Sequence, residues 1–384
     1  MKNKHWLFLA GLTLVTLSTA SASNGQPSNP IRRIPGGLRP SQTVPIVPGA
    51  VNVAPIYRQR EQLASPTLRR ELDNIRSAIR TNSYTFQVGN TEVSDRPLSE
   101  LAGSVPPPDL EQRSVSQNQI AVEAIRRDTE EVAEYRRLNP QIQLPEFAIL
   151  RGCVASRRTF DWRTLGKVTP VRNQGGCGSC WAFATLGAWE SNNLIRNGLN
   201  ADASEQHIVN ARTYGTCSGG WWAFDFLRQP SGNGTATEAA VPYTATNGTF
   251  DSAVPTPNKA VTWGYVSTST IPSVAEIKAA VCKYGALAVA VRVTSAFQHY
   301  TGGVFNERDG GNVNHGVTLI GWDDNKQAWL IKNSWGTGWG EDGYMWINYN
   351  SNSIGYRAAW VQARNIRVFD TLRLRRVIPR IPPQ

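Results

Sequence analysis

Three stretches of the chain carry apolar residues at helical spacing. Over 61–82 they are Leu63, Leu68, Leu72, Ile75 and Ile79, with charges between them. Over 115–138 they are Ile120, Ala124, Ile125, Val132 and Tyr135, and Asn139-Pro140 stops the pattern. Over 180–197 they are Phe183, Leu186, Trp189 or Glu190, and Leu194; only Gly187 interrupts, and Gly198 marks the end. Each predicts a helix. Residues 86–95 read as a strand and turn, ended by Asp95-Arg96-Pro97, and the prolines at 106–108 make a second break. Beyond residue 260 the texture changes. Apolar runs at 286–293, 315–322, 328–332 and 344–349 predict strands, with Asp323-Asp324-Asn325 as a hairpin turn between two of them.

The ends of the chain follow other rules. Lys2 and Lys4, the apolar run Trp6 to Leu17 and the small residues Ala20-Ser21-Ala22 read as a signal peptide over 1–22. That predicts an exported protein, extracellular, periplasmic or in a lysosome-like compartment, where disulfides form. Residues 23–60 hold seven Pro and no acidic residue, the composition of a linker or disordered arm. The formal net charge is +11, yet residues 154–363 hold 16 basic and 14 acidic residues. Much of the excess lies in the tail, 364–384, with six Arg against one Asp. The basic balance is therefore a property of the ends, and no nucleic-acid partner is expected. The tail is either a solvated extension or a contact for an anionic surface.

The chemistry gathers around Gln174-Gly175-Gly176-Cys177-Gly178-Ser179-Cys180-Trp181-Ala182-Phe183. Glycines let the chain turn tightly into the predicted helix. Ser179 is placed to cap it, and Cys180 then falls in its first turn, where the helix dipole favours a thiolate. Five cysteines are present, Cys153, Cys177, Cys180, Cys217 and Cys282, and an odd count in an exported chain leaves one thiol free. Cys180 is that candidate. No metal-ligand cluster appears, and no cofactor is expected. Asn233-Gly234-Thr235 and Asn247-Gly248-Thr249 are glycosylation triplets.

Cys177 to Trp181 matches C-G-[SA]-C-[WY] at every position, and the chain from 154 to 363 resembles the papain-like cysteine peptidases. Phe160-Asp161-Trp162, Ser204-Glu205-Gln206, Cys217-Ser218-Gly219-Gly220, Asn314-His315-Gly316 and Asn333-Ser334-Trp335-Gly336 carry the resemblance further. It implies an α+β fold of two lobes, a helical one against a β-barrel-like one, with the cleft between. It implies Cys180 as nucleophile and His315 as base and then acid, 135 residues downstream. Asn333 would orient the imidazole with Trp335 shielding that bond, and Gln174 with the Cys180 backbone N–H would bind the oxyanion. A Cys177–Cys217 bridge is implied as well. Cys153 and Cys282 are left over; they either pair or remain two buried thiols.

The resemblance also places an inhibitory propeptide in residues 23–153, ahead of the catalytic domain at 154–363. The family's propeptide helix motif is not intact: Glu71 stands where a Phe is usual. An independent N-terminal domain is the alternative. Carried over residue by residue, the peptide would be held by Gly219, Gly220, Asn314 and Trp335, and the main pocket lined by Trp221, Trp222, Ala290, Val313, Gly316 and Ala359. These residues lack a carboxylate, so a hydrophobic residue two before the cleaved bond is expected. The expectation is a monomeric endopeptidase made as a zymogen, acting on proteins or peptides and inhibited by its own propeptide. A transpeptidase or ligase on the same chemistry, or a catalytically silent binding protein, are the alternatives.

Overall fold

The computed structural model describes residues 55–141, 152–228 and 234–364. The expected signal peptide, the expected arm up to residue 54, Asn233 and the tail beyond Arg364 lie outside the described residues. In chain order the helices are α1 (Pro55–Gln62), α2 (Pro66–Thr81), α3 (Leu98–Leu101), α4 (Leu110–Leu138), α5 (Cys180–Asn197), α6 (Glu205–Ala211), α7 (Phe224–Leu227), α8 (Val274–Tyr284) and α9 (Ser295–Gln298). The strands are β1 (Thr85–Val88), β2 (Thr159–Asp161), β3 (Gly215–Thr216), β4 (Gly219–Gly220), β5 (Ala260–Tyr265), β6 (Leu287–Val291), β7 (Tyr300–Phe305), β8 (His315–Asp323), β9 (Ala328–Lys332), β10 (Tyr344–Asn348) and β11 (Tyr356–Ala363).

The single helix expected over 61–82 is two. Pro66 cannot donate to the preceding turn, and Ser65 caps α2 by accepting from the Leu68 N–H at 3.1 Å. Leu63, expected on the apolar face, sits in the break and is 89 % exposed. The end of the arm is helical: α1 starts at Pro55, and the buried Tyr57 donates its hydroxyl to Gly340 O at 2.6 Å. Helix α4 begins at Leu110, ahead of the expected 115, and Val132 and Tyr135 are buried as the periodicity requires. Ile120 is exposed, and Ser114 and Gln117 are buried in its place. Helix α5 has the expected bounds and ends on Gly198 with φ +68°. It is not amphipathic. Glu190, Asn192, Asn193 and Arg196 are buried along with its apolar residues, because it is packed on all sides.

The main sheet runs β1-β7-β10-β9-β8-β6-β11-β5, and β2 pairs with β8. Most neighbours are antiparallel, while β10 runs parallel to β7. The expected β-barrel-like lobe is an open one: β1 and β5 end the order, and the sheet does not close on itself among the described residues. Residues 55–138 occupy both ends. Strand β1 adds to β7 with Phe86 opposite Gly303, and α4 covers β5.

Two large apolar clusters stand out among the described residues. One gathers Val289, Leu319, Phe305, Ile331, Trp322 and Trp339 with Leu68, Leu72, Phe86 and Val93 from the N-terminal region. The other surrounds α5 with Trp181, Leu186, Trp189, Ile208, Phe224 and Trp263, together with Leu110. The N-terminal region is thus built into both cores. Its Pro55–Leu138 part is not an independent domain: it contributes side chains to cores it does not complete alone.

Two disulfides are present. Cys177–Cys217 joins the loop before α5 to the β3–β4 turn, and Cys153–Cys282 joins the start of the 152–228 segment to α8. Of the two alternatives for Cys153 and Cys282, the structure has the bridge. Cys180 is the free cysteine.

Candidate active site

Cys180 opens α5 and is buried. Ser179 precedes it, but its hydroxyl makes no cap bond. It sits 2.6 Å from the Tyr243 hydroxyl instead, correcting the capping expectation. Tyr243 in turn donates to Gln174 O at 2.8 Å, so one phenol ties the residue before Cys180 to the backbone of Gln174. Burial opposes the Cys180 thiolate. The charge and hydrogen bond of His315, then bonds from Ser104 and the Gly103 N–H, outweigh that cost and set the thiol at about 7.

His315 is the first residue of β8, paired across from Val291. Its Nε2 lies 2.8 Å from Asn333 Oδ1, which fixes the ring with Nδ1 left for other work. Nδ1 has no nitrogen or oxygen partner. Trp335 packs over the ring with centroids 4.8 Å apart, and Trp335 is fully buried. Asn333 directly follows β9, whose last residue, Lys332, is anchored on Thr169 O at 3.1 Å and Thr169 Oγ1 at 3.0 Å. The Thr169 hydroxyl passes the contact on to Glu190 of α5 at 2.6 Å. Burial pushes Glu190 up and Lys332 down, and their mutual attraction opposes both shifts.

The Gln174 amide is aimed by two contacts to one residue. The Gln174 backbone N–H donates to Ser334 O at 2.8 Å, and the side-chain Oε1 accepts from the Ser334 hydroxyl at 2.7 Å. With Oε1 occupied, Nε2 donates to Cys177 O at 2.9 Å and lies 3.2 Å from both Glu100 O and Leu101 O. The latter two carbonyls belong to α3, and the chain after it crosses the cleft. Gly103 N–H points at Cys180 Sγ at 3.3 Å, and Ser104 Oγ lies 3.5 Å from the same sulfur. Ser104 N–H donates to Asn314 O at 2.8 Å. Gly220 N–H donates to Gly103 O at 2.8 Å, and Val105 N–H donates to Gly220 O at 2.9 Å, which makes this strap parallel to the β4 edge. Trp335 Nε1 donates to Leu101 O at 3.2 Å. A Cβ on Gly103 would stand 1.8 Å from Gly178 O, so only glycine passes here.

Sulfur therefore faces a donor N–H rather than a carbonyl carbon. The geometry stabilises a thiolate and offers it nothing to attack.

The residues proposed for the main pocket come together. Trp221 and Trp222 stack with centroids 4.5 Å apart, and both share one buried cluster with Ala290, Val313 and Ala359. Gly316 is close enough that a Cβ there would meet the Trp222 ring and Ser104 Oγ at 3.1 Å. Leu110 joins the same cluster from the N-terminal region. Gly219 and Gly220 form the β4 edge, and Gly219 holds φ +123° where Val105 and Gly103 O approach. The Asn314 side chain does not face the cleft: Oδ1 accepts from Val293 N–H and Nδ2 donates to Val293 O. Only its carbonyl reaches the strap.

Gly103, Ser104, Ser334 and Tyr243 escaped the sequence reading. None has a type that announces chemistry, and each acts through contacts with positions far away in sequence. Ala102-Gly103-Ser104 beside the proline run was the one visible trace, a small-residue passage in an otherwise bulky region.

The Cys180 environment gives a first expected result. His315→Ala removes the two largest contributions that lower the thiol, so its pKa should move up from about 7. At neutral pH about half of the thiol is ionised in the parent, and a smaller fraction in the variant. Thiolate ultraviolet absorbance followed against pH checks the sign; an unchanged midpoint would remove His315 from this role.

The family model described as papain family cysteine protease matches residues 156–363. The chain is 38 % identical over 205 residues to digestive cysteine proteinase 2 of Homarus americanus, covering 50 % of this chain and 62 % of that protein. It is 38 % identical over 207 residues to cysteine proteinase EP-B 1 of Hordeum vulgare, covering 51 % and 55 %. The match thus spans less than two thirds of these relatives. Among solved structures, digestive procathepsin L2 of the Tenebrio molitor larval midgut is similar at 27 % identity with a TM-score of 0.61, covering 81 % of this chain and 94 % of that one. Recombinant stem bromelain precursor is similar at 25 % identity with a TM-score of 0.57, covering 80 % and 93 %.

Proposed function

Since the chain belongs to the papain family of cysteine proteases, we propose that it is an exported cysteine endopeptidase, folded here in its latent form. The observation that carries this reading is the single cluster of a free Cys180 lowered to about 7, a His315–Asn333 pair at 2.8 Å and a Gln174 amide aimed into the cleft.

The steps follow from these groups. Cys180 Sγ attacks the scissile carbonyl carbon, and the electrons move onto the carbonyl oxygen. Gln174 Nε2 and the Cys180 backbone N–H hold that oxyanion. His315 donates its proton to the leaving amine as the C–N bond breaks, leaving an acyl-enzyme thioester. His315 then takes a proton from water, which attacks the thioester and releases the acid and the thiolate. Asn333 holds the imidazole plane throughout.

Latency rests on residues 98–105. They place carbonyls on the oxyanion donor and an N–H on sulfur, and they run parallel to the β4 edge. The similarity to two precursor structures supports the same reading.

For the pocket, Trp221, Trp222, Ala290, Val313 and Ala359 supply apolar walls, and an Arg or Lys head there would be buried without a partner carboxylate. After removal of the strap, a fluorogenic peptide series varying only the residue two before the cleaved bond should favour Leu, Val or Phe over Arg. One missing methylene should matter by about 1–3 kcal/mol. Preference for Arg would overturn the pocket assignment; no hydrolysis of any member would overturn the protease reading itself. Export, a monomeric state and contact of the basic tail with anionic surfaces belong to the same proposal, from the sequence of residues 1–22 and 364–384.

A further inference from the structure

Residues 55–138 close the sheet at both ends by different means. At one end β1 is a strand, hydrogen-bonded to β7 through Thr85 to Val88. At the other end β5 is the last strand, and α4 lies against it. Edge strands leave backbone groups unpaired and are natural templates for pairing with other chains. Here α4 satisfies them with side chains. Gln117 Nε2 donates to Trp263 O at 2.6 Å, and Asn118 Oδ1 accepts from Tyr265 N–H at 2.8 Å. Successive residues of the helix thus bond the N–H and C=O that alternate along the free side of β5.

The contact continues away from the cleft. Asp128 accepts from Arg196 of α5 at 3.2 Å and from Gln362 of β11 at 2.7 Å. The Arg196 side chain is 3 % exposed and that of Asp128 15 %. Ser114 lies 3.4 Å from the Arg357 guanidinium. Leu110 enters the cluster around α5, and Ala121 the cluster around the sheet. None of these contacts touches Cys180, His315 or Gln174.

The order of the segments along the chain matters. The strap that blocks Cys180 ends at Val105, and the chain from Val105 to Asp109 includes exposed residues ahead of α4. Helix α4 comes after the strap, and 14 residues, 139–152, separate its end at Leu138 from Cys153, which is fastened to α8 by a disulfide. A segment joined by so short a tether is held at high effective concentration over its docking surface. Strand β1 and the strap lie on the other side of α4 and share no such anchor.

From these observations we infer that α4 is a permanent part of the catalytic body rather than of the removable inhibitor. It is the cover of the β5 edge, and activation clears residues up to the strap while α4 remains. This rests on the latent-protease reading and goes beyond it. The active enzyme would then carry an N-terminal helix over its sheet edge, with Leu110 kept beside the Trp221–Trp222 cluster.

The test uses the full secreted chain, activated until Cys180 reacts with a thiol-directed epoxide. The labelled species is weighed under native and denaturing conditions. Residues 110–138 are expected in it, joined or bound. A labelled, active species that lacks them in both spectra overturns the inference.

A second arm uses Gln117→Ala with Asn118→Ala. If α4 covers the edge permanently, the Tm of the active form should fall by about 3–8 °C, the scale of two lost hydrogen bonds, with the labelling rate of the full chain unchanged. If α4 is only part of the inhibitor, the pair instead speeds labelling of the full chain and leaves the active form's Tm as it was. Failure of the latency reading looks different: the uncut parent is then labelled at the rate of the cut one.

Discussion

Cys180→Ala should abolish peptide hydrolysis while the protein keeps its fold. Cys180 is the free cysteine, and the other four are held in disulfides. Removing the nucleophile of such a unit costs on the order of 10⁶ in turnover. The cavity left by one sulfur atom is small beside the apolar cluster that holds α5, so melting temperature and circular dichroism should stay near those of the parent. Gln174→Ala should cost roughly 10²–10³ in kcat, the loss typical of one oxyanion donor. Retained hydrolysis in Cys180→Ala, measured after removal of the strap, would end the cysteine-protease assignment of this site.

The second large effect is release from latency by a single methyl group or little more. Gly103→Val in the full-length chain should free Cys180 without any cut. The added Cβ would stand 1.8 Å from Gly178 O, a backbone atom held by the neighbouring bond from Gly178 N–H to Cys217 O. Neither side can yield, so the strap must lift. It then loses the bonds of Gly103, Ser104 and Val105 to Cys180, Asn314 and Gly220. At about 0.5–1.5 kcal/mol each, four such bonds amount to roughly 2–6 kcal/mol. Epoxide labelling of Cys180 should therefore quicken by at least about 10-fold over the parent. Labelling is read within minutes on a gel, before self-processing confuses the comparison. Equal rates for parent and variant would mean that residues 98–105 do not hold the enzyme latent.

Much of this site was legible because its chemistry sits in short contiguous strings. Gln174 to Phe183, Asn314-His315-Gly316 and Asn333-Ser334-Trp335-Gly336 each put the reacting residue among neighbours whose types are fixed by a tight turn or a strand start. Helix α5 could be bounded from both ends, because Gly178 precedes it and Gly198 takes the left-handed turn that stops it. Strands β6, β8 and β9 were equally plain, since their buried runs are continuous, whereas β5 and β7 were not picked out.

What lay in distant contacts was not legible. Ser179 has the type of a cap, yet the Tyr243 hydroxyl, 64 residues away, competes for it and wins. Gln117 and Asn118 read as the polar side of a helix, and they turn inward because β5 presents unpaired backbone groups to them. Leu63 counted as apolar face until Pro66 broke the helix beneath it. The Cys153–Cys282 bridge could only be left open, since nothing local brings two cysteines 129 residues apart together. The strap is the clearest case: Gly103 carries no side chain to advertise, and its importance is the space it does not fill against Gly178. By itself the sequence determined which groups are candidates for the chemistry and the helix and strand starts that carry them, because local backbone rules act within a few residues. Only the tertiary structure decided what those groups face, because burial and pairing join positions that no periodicity links.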